Sequence, residues 1–277
     1  MFKQTIKNTV KRLIPVHLRP AFKQAIRRVF YFGRAHHCPV CRSNVRLLKP
    51  LGYDLPVIHE KQIVGSGLRH AMCPVCESSD RVRLLYLFLK SRTKLFTEPI
   101  KLLHIAPEKP LSDILIKLKN IDYLTADLNP EQVRVKMDIT AIQFPDNSFD
   151  AILCNHVLEH IPDDRKAMSQ LYRILKPHGW AILQVPISKV LEHTYEDSSI
   201  NSPQDREKHF GQKDHVRIYG KDYFQRLKEA GFIVEAYNWT SDSHLLNDGN
   251  RYGLNKDETV FYCTKKGKIP SPLSISQ

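Results

Sequence analysis

The chain of 277 residues is 42% hydrophobic and carries 17 Pro and 11 Gly, which excludes a disordered or collagen-like polymer. Its longest apolar run, residues 84–89, falls far short of the about 18 residues that a membrane-spanning helix needs. The formal net charge is +13, yet twelve basic residues precede the first acidic one, Asp54, and from there on 30 basic residues face 29 acidic ones. The excess belongs to the N-terminal segment, and the balanced remainder argues against a long nucleic-acid footprint, in which every neutralised phosphate needs a cation.

Residues 2–32 read as two short basic helices divided by Pro15 and Pro20. Phe2, Ile6, Val10 and Leu13 recur at helical spacing in the first. In the second, Phe22, Ala25, Ile26, Val29 and Phe30 form one face, opposite Lys23, Gln24, Arg27 and Arg28. No continuous apolar core or small-residue cleavage site marks a secretory signal, so a cytoplasmic protein is expected. The arm has two main readings. Its apolar stripe packs on its own domain, or residues 1–32 contact an anionic membrane peripherally at the inner face, each cation there gaining about 1 kcal/mol. Nucleic acid is the weaker expectation, because exposed aromatics are not interleaved with the cations.

Two identical quartets follow, Cys38-Pro39-Val40-Cys41 and Cys73-Pro74-Val75-Cys76. A C-x-x-C turn brings two thiolates to one ion, and two such turns supply a closed tetrahedral zinc site with Cys38, Cys41, Cys73 and Cys76 as ligands. Four protein ligands leave no open position, so the expected role of the zinc is structural, stabilising a ribbon too small for a core of its own. The 31 intervening residues, with Pro50, Gly52, Pro56, Gly65 and Gly67, leave room for a hairpin insert.

The remaining elements alternate. Ser78, Ser79 and Asp80 offer N-caps to a helix through Leu95, and strands are predicted over 101–106, 122–126, 133–137, 149–155 and 180–185. Helices are predicted over 111–119, 163–175 and 221–230, and two late strands over 232–237 and 259–263. Alternation of this kind implies a doubly wound, mostly parallel α/β sheet of seven strands, the late pair adding an antiparallel edge. Ligands of such sheets sit at the carboxyl ends of the strands. The residues there are His104, Ala106 and Glu108 after the first strand, then Asp127, Asp138, Asn155 and His156 after the next three. Asp127 is placed to accept both hydroxyls of a ribose, and Asp138 an adenine amino group.

The stretch 138–161, with Phe144-Pro145-Asp146-Asn147-Ser148-Phe149-Asp150 and His156-Val157-Leu158-Glu159-His160, resembles the class I S-adenosylmethionine-dependent methyltransferases of type 11, as does Leu171 to Trp180. The resemblance covers roughly residues 100–264 and implies a Rossmann-like fold with S-adenosyl-L-methionine as cofactor. It places the ribose on Asp127, the adenine on Asp138, and the methionine end and acceptor beside Asn155 and His156. It departs at the first turn, where the family's D-x-G-x-G is replaced by glycine-free His104-Ile105-Ala106-Pro107-Glu108. Ala106 is expected to stand in for one small residue and Glu108 to hold the cofactor's amino group, with His104 also expected among the cofactor-binding residues. His156 to His160 also matches H-x-x-E-H, an inverted zinc-protease signature, but Pro162 and the preceding strand argue against the helix it requires.

Residues 187–220 are too long for a plain connection and read as an acceptor lid. His215 beside Asp214, or His209, or His156, is the expected catalytic base, with Arg206 and Arg217 gripping an anionic acceptor and Asp214 and Tyr219 completing its site. The expected organisation is a basic helical arm (1–34), a zinc ribbon (35–80), a methyltransferase domain (81–266) and a flexible tail (267–277). The expected activity is methylation, most simply at oxygen, of a small-molecule or glycan-type acceptor. RNA methylation, and a catalytically dead binding protein built on the altered first turn, are the alternatives.

Overall fold

The computed structural model describes residue 15, residues 19–246 and residues 249–267; the first arm helix and nearly all of the tail lie outside them. The chain enters through α1 (Arg19–Phe30), whose apolar face is left bare: Val29 is 81% and Phe30 62% exposed. The cationic face is the one that docks. Arg27 pairs with Glu77 at 2.7 Å, and Arg28 donates to the Cys41 carbonyl at 3.1 Å. The apolar stripe therefore does not pack on its own domain over these residues.

The strand Phe32–Cys38 pairs with Ser43–Val45, and Lys49–Leu51 with Arg69–Met72, to form the ribbon around the two knuckles. Between the two strands of the second pair lies α2 (Pro56–Glu60), opened by a proline where an orphan N–H would otherwise stand. Then α3 (Asp80–Arg92) begins, capped by the Ser79 side chain accepting from Val82 N.

The main sheet follows: β1 (Ile100–Ile105), α4 (Lys109–Leu115), β2 (Ile121–Asp127), β3 (Val135–Lys136), β4 (Phe149–Asn155), α5 (Asp164–Ile174) and β5 (Leu175–Gln184). The lid helix α6 (Pro203–Phe210), then α7 (Tyr223–Glu229), β6 (Ile233–Asn238) and β7 (Thr259–Thr264) complete it. The seven strands lie in the order β6-β7-β5-β4-β1-β2-β3. Only β7 runs against its neighbours. The doubly wound, mostly parallel seven-stranded sheet is thus as the alternation implied. One boundary differs: the strand expected over 180–185 begins at Leu175, with Lys176-Pro177-His178-Gly179 as its bulged start, the register slipping between Leu175 and Trp180.

Alternate residues of the central strands feed two cores, as a period of two requires. Leu102, Leu153, Ile182 and Val260 face α3 and the knuckle residues Val40, Val45 and Val75. Leu103, Ile152, Ala181 and Phe261 face α5 and α7. The ribbon has no separate core but shares the first of these. Arg83, fully buried on α3, ties it down: Nε donates to the Tyr252 carbonyl at 2.6 Å, Nη1 to those of Ala71 and Ser78, and Nη2 to that of Gly253.

The insert between the knuckles continues over the carboxyl ends of the strands and joins the lid. Ile63–Val64 pairs with Ile187–Ser188, while Val57, Ile58 and Ile63 pack with Phe210 and Ile218 in a third, small core. The hairpin can approach itself closely only because it carries glycines. A Cβ at Gly52 would stand 2.0 Å from the Gly67 carbonyl oxygen.

Candidate functional site

The two knuckles bring all four expected sulfurs together. Cys38 Sγ lies 3.6 Å from Cys76 Sγ and Cys41 Sγ 3.8 Å from Cys73 Sγ, with all four within 4.8 Å of one another. A tetrahedron with Zn–S bonds of about 2.3 Å has edges of about 3.8 Å, so the donor set fits a zinc ion. Ser78, fully buried, points its hydroxyl at Cys38 Sγ (3.3 Å) and Cys76 Sγ (3.2 Å), as a hydrogen bond to thiolates would require. Cys154 and Cys263 are buried in the sheet, away from this group.

At the ends of β1 and β2, a cavity of about 400 Å³ is lined by Ala106, Pro107, Ser112, Asp127 and Asn129. Ala106 has φ +47°, the left-handed conformation that glycine adopts without strain, so the glycine-free turn keeps a glycine-like path. Asp127 reaches this cavity and accepts from Asn129 N through Oδ1 at 2.9 Å, leaving Oδ2 for a ligand. His104 does not reach it: the ring is fully buried between the Tyr123 hydroxyl (2.9 Å) and Glu108 (2.8 Å). His104 therefore fixes Glu108 instead of touching a cofactor. Asp138 also lies outside the lining. It is exposed and caps its own turn through Thr140 N and Oγ1, both at 2.8 Å, and those hydrogen bonds hold its carboxyl below the usual range. Asn155, buried at the tip of β4, has no partner for either side-chain polar atom, an arrangement that a bound ligand would relieve.

Beside it, at the tips of β4 and β5, a second cavity of about 490 Å³ is roofed by the insert hairpin (Gly52, Gly65–Gly67) and the lid (Gly211, Gln212, His215). Its floor is His156, Glu159 and His160. His156, with φ +55°, accepts from Arg81 Nη1 at 3.0 Å through Nδ1, which leaves Nε2 as a donor without a protein partner. Burial, and then Arg81, push its pKa well below the usual histidine value, so the ring is neutral. Burial drives Glu159 up to about 8, and Glu159 Oε2 also lacks a partner. His215 is held at about 4 by burial and by His160, whose ring stands edge-on to it at 4.7 Å. The H-x-x-E-H stretch is a three-residue 3-10 turn, Leu158–His160, and not the helix of a protease.

The other expected lid residues are elsewhere. Asp214 pairs with His160 (3.2 Å), not with His215. His209 lines a neighbouring cavity with Tyr195, whose hydroxyl is 3.1 Å from its Nδ1. Arg206 lines a third. Arg217 and Tyr219 are corrected to scaffold. Arg217 is buried, pairs with Glu196 at 2.8 Å and donates to the carbonyls of Leu158, Ile161 and Pro162, while the Tyr219 hydroxyl donates to Asp164 at 2.7 Å. Such fully used donors cannot also grip an acceptor. Sequence reasoning missed Arg81 and Glu258. Burial raises Glu258 to about 7, beside Gly65. The only local signal was an arginine one position after the Ser79-Asp80 cap.

Residues 113–183 match the family model described as "Methyltransferase domain". The chain is 36% identical over 85 residues to a ubiquinone/menaquinone biosynthesis C-methyltransferase of Pseudoalteromonas translucida, covering 30% of each protein. It is 28% identical over 150 residues to the enzyme of that name from Escherichia coli O1:K1 / APEC, covering 49% of this chain and 58% of that one. Among solved structures, an S-adenosylmethionine dependent methyltransferase from Mesorhizobium loti aligns with TM-score 0.47 and 10% identity, over 68% of this chain and 98% of that one. The chain thus spans between 30% and 58% of the length of these curated relatives, and its similarity to a methyltransferase domain is centred on α4 to β5.

Proposed function

We propose that the protein is an S-adenosylmethionine-dependent methyltransferase with a structural zinc ribbon, acting at oxygen on a small-molecule or glycan-type acceptor. The observation that carries this reading is the adjacency of two differently built cavities on neighbouring strand ends. One presents Ala106 and Asp127, as a nucleoside needs; the other presents His156, Glu159 and His215, as an acceptor hydroxyl needs. When bound, S-adenosylmethionine would supply an electrophilic methyl group on its sulfonium. The chain's own contribution is alignment and proton management. Asp127 Oδ2 accepts from ribose, Asn155 at the tip of β4 offers an amide without a protein partner, and the insert and lid exclude water. Neutral His215 presents a ring nitrogen to the acceptor as the proton-accepting base, while His156, its Nδ1 taken by Arg81, offers Nε2–H as a hydrogen-bond donor that positions the acceptor oxygen.

Isothermal titration with S-adenosylmethionine tests the cofactor half: the wild type binds, and Asp127→Ala loses most of the affinity. No binding by the wild type would leave a non-catalytic scaffold. His215→Ala should depress turnover and leave cofactor affinity unchanged.

The bare face of α1, Phe22, Ile26, Val29 and Phe30 among cations, supports peripheral attachment to an anionic membrane at the same time. Among the described residues no helix is long and apolar enough to cross a membrane. Val29→Glu together with Phe30→Ser should abolish binding to vesicles containing anionic phospholipid; retained binding removes this attachment.

A further inference from the structure

A second group of ligating side chains sits in the acceptor cavity, apart from the cysteines. One ligand atom each from Glu159, His160 and His215 lie within 4.8 Å of one another, and Glu159 and His215 are buried. This set comes from two distant segments, the turn after β4 and the lid, and no local motif would have assembled it.

Each member is already arranged as a ligand would be. Nδ1 of His160 lies 3.2 Å from the Asp214 carbonyl oxygen and 3.2 Å from the Asp214 carboxylate, so it carries the proton and leaves Nε2 as a lone-pair donor. The His215 ring is buried and lines the same cavity as Glu159 and His160. Glu159 Oε2 is buried without any partner. A buried carboxyl oxygen without a partner is an arrangement that a bound cation would relieve, and Arg81 turns its Nη1 to His156 Nδ1 and the Gly65 carbonyl instead.

We propose that Glu159, His160 and His215 bind a divalent transition cation of the zinc class, which holds the acceptor through an oxygen atom. Two histidines and one glutamate form a catalytic-type donor set: three protein ligands leave at least one position open, unlike the closed cysteine tetrahedron. The open position faces the 490 Å³ cavity, because all three side chains line it. An acceptor with adjacent oxygens, such as a vicinal diol or a hydroxy acid, would coordinate there; the metal would lower the pKa of its alcohol so that the proton leaves to solvent, and His215, as a ligand, would not serve as the base while the metal is bound. The metal site stands on its own ligands; its use by an acceptor rests on the methyl-transfer reading.

Cobalt(II) separates the two sites, since thiolate ligation gives an intense near-ultraviolet charge-transfer band and nitrogen–oxygen ligation does not. Full-length protein with zinc in its cysteine site should take up one further cobalt ion with weak visible bands and no new thiolate band. His160→Asn, at a partly exposed position, and His215→Ala should each weaken this uptake at least 10-fold while zinc content and thermal melting stay near wild type. Asp127→Ala should leave it unchanged. Uptake that stops at the cysteine site, or that neither histidine substitution weakens, overturns the proposal. Cobalt binding without any S-adenosylmethionine binding would keep the metal site and discard the methyl-transfer reading.

Discussion

Arg81 Nη1 donates to His156 Nδ1 across 3.0 Å, joining residues 75 positions apart in the chain. The bond links the helix that follows the second knuckle to the tip of β4, and so couples the cysteine ribbon to the floor of the 490 Å³ cavity. It sets the His156 tautomer, with Nε2–H toward the cavity. Arg81→Ala should lower kcat on the order of 10- to 100-fold with cofactor affinity unchanged, the scale of a positioning loss. Losing the neighbouring cation also raises the His156 pKa, so the acid limb of the rate profile should move to higher pH. An unshifted profile would remove Arg81 from this role. Arg81→Lys should restore part of the rate.

Ala106 holds a backbone conformation that costs an L-residue about 1–2 kcal/mol. Ala106→Gly removes that strain but adds freedom to the unfolded chain, so stability should rise by about 1 kcal/mol or less, with melting up a few degrees. Ala106→Val should lower it. A stability loss in the glycine variant would mean that the turn is not left-handed in solution.

The ribbon and Arg83 should fail together. Cys76→Ser should release the zinc and lower the melting temperature sharply, because metal binding supplies on the order of 10 kcal/mol to such modules. Arg83→Leu removes a buried donor to four backbone carbonyls and should cost about 3–5 kcal/mol in chemical denaturation, with zinc still bound in the folded fraction. A loss below about 1 kcal/mol would contradict the four-bond arrangement.

Glu258 gives a pH signature. Its carboxyl titrates near 7 in the folded protein because burial disfavours the charge, against 4.5 for the unconstrained group. The folded state therefore holds the proton longer than the unfolded state. Its contribution is fully present below about 4.5 and is lost as pH rises through 7. Glu258→Gln should match wild type near pH 4 and exceed it by about 3 kcal/mol at pH 8. Parallel stability curves for the two proteins would sink this assignment. His215, held near 4, acts oppositely: its contribution is present above 6.5 and fades as pH falls toward 4.

What rests on local pattern was legible in the sequence. The cysteine pairs, the strands at 149–155 and 121–127, and the residues at their tips were legible because spacing and apolar alternation depend on nearest neighbours. The errors fell on polar residues of the lid. Arg217 and Tyr219 look like acceptor ligands in sequence, since an arginine in a loop carries no mark of what it will neutralise. The arm was half legible: its two faces were correct, but which one docks depended on Glu77 in the ribbon.

The charge excess that marks the first 53 residues, the four sulfurs and the order of strands and helices were thus fixed by sequence alone. Each is a statement about composition or short-range periodicity. Tertiary structure alone decided that the insert and lid close one roof, that Arg81 reaches His156, and that Glu159, His160 and His215 converge. Those pairings span dozens of residues, and only the closing of the sheet and the packing of its two cores bring their partners within a few ångströms.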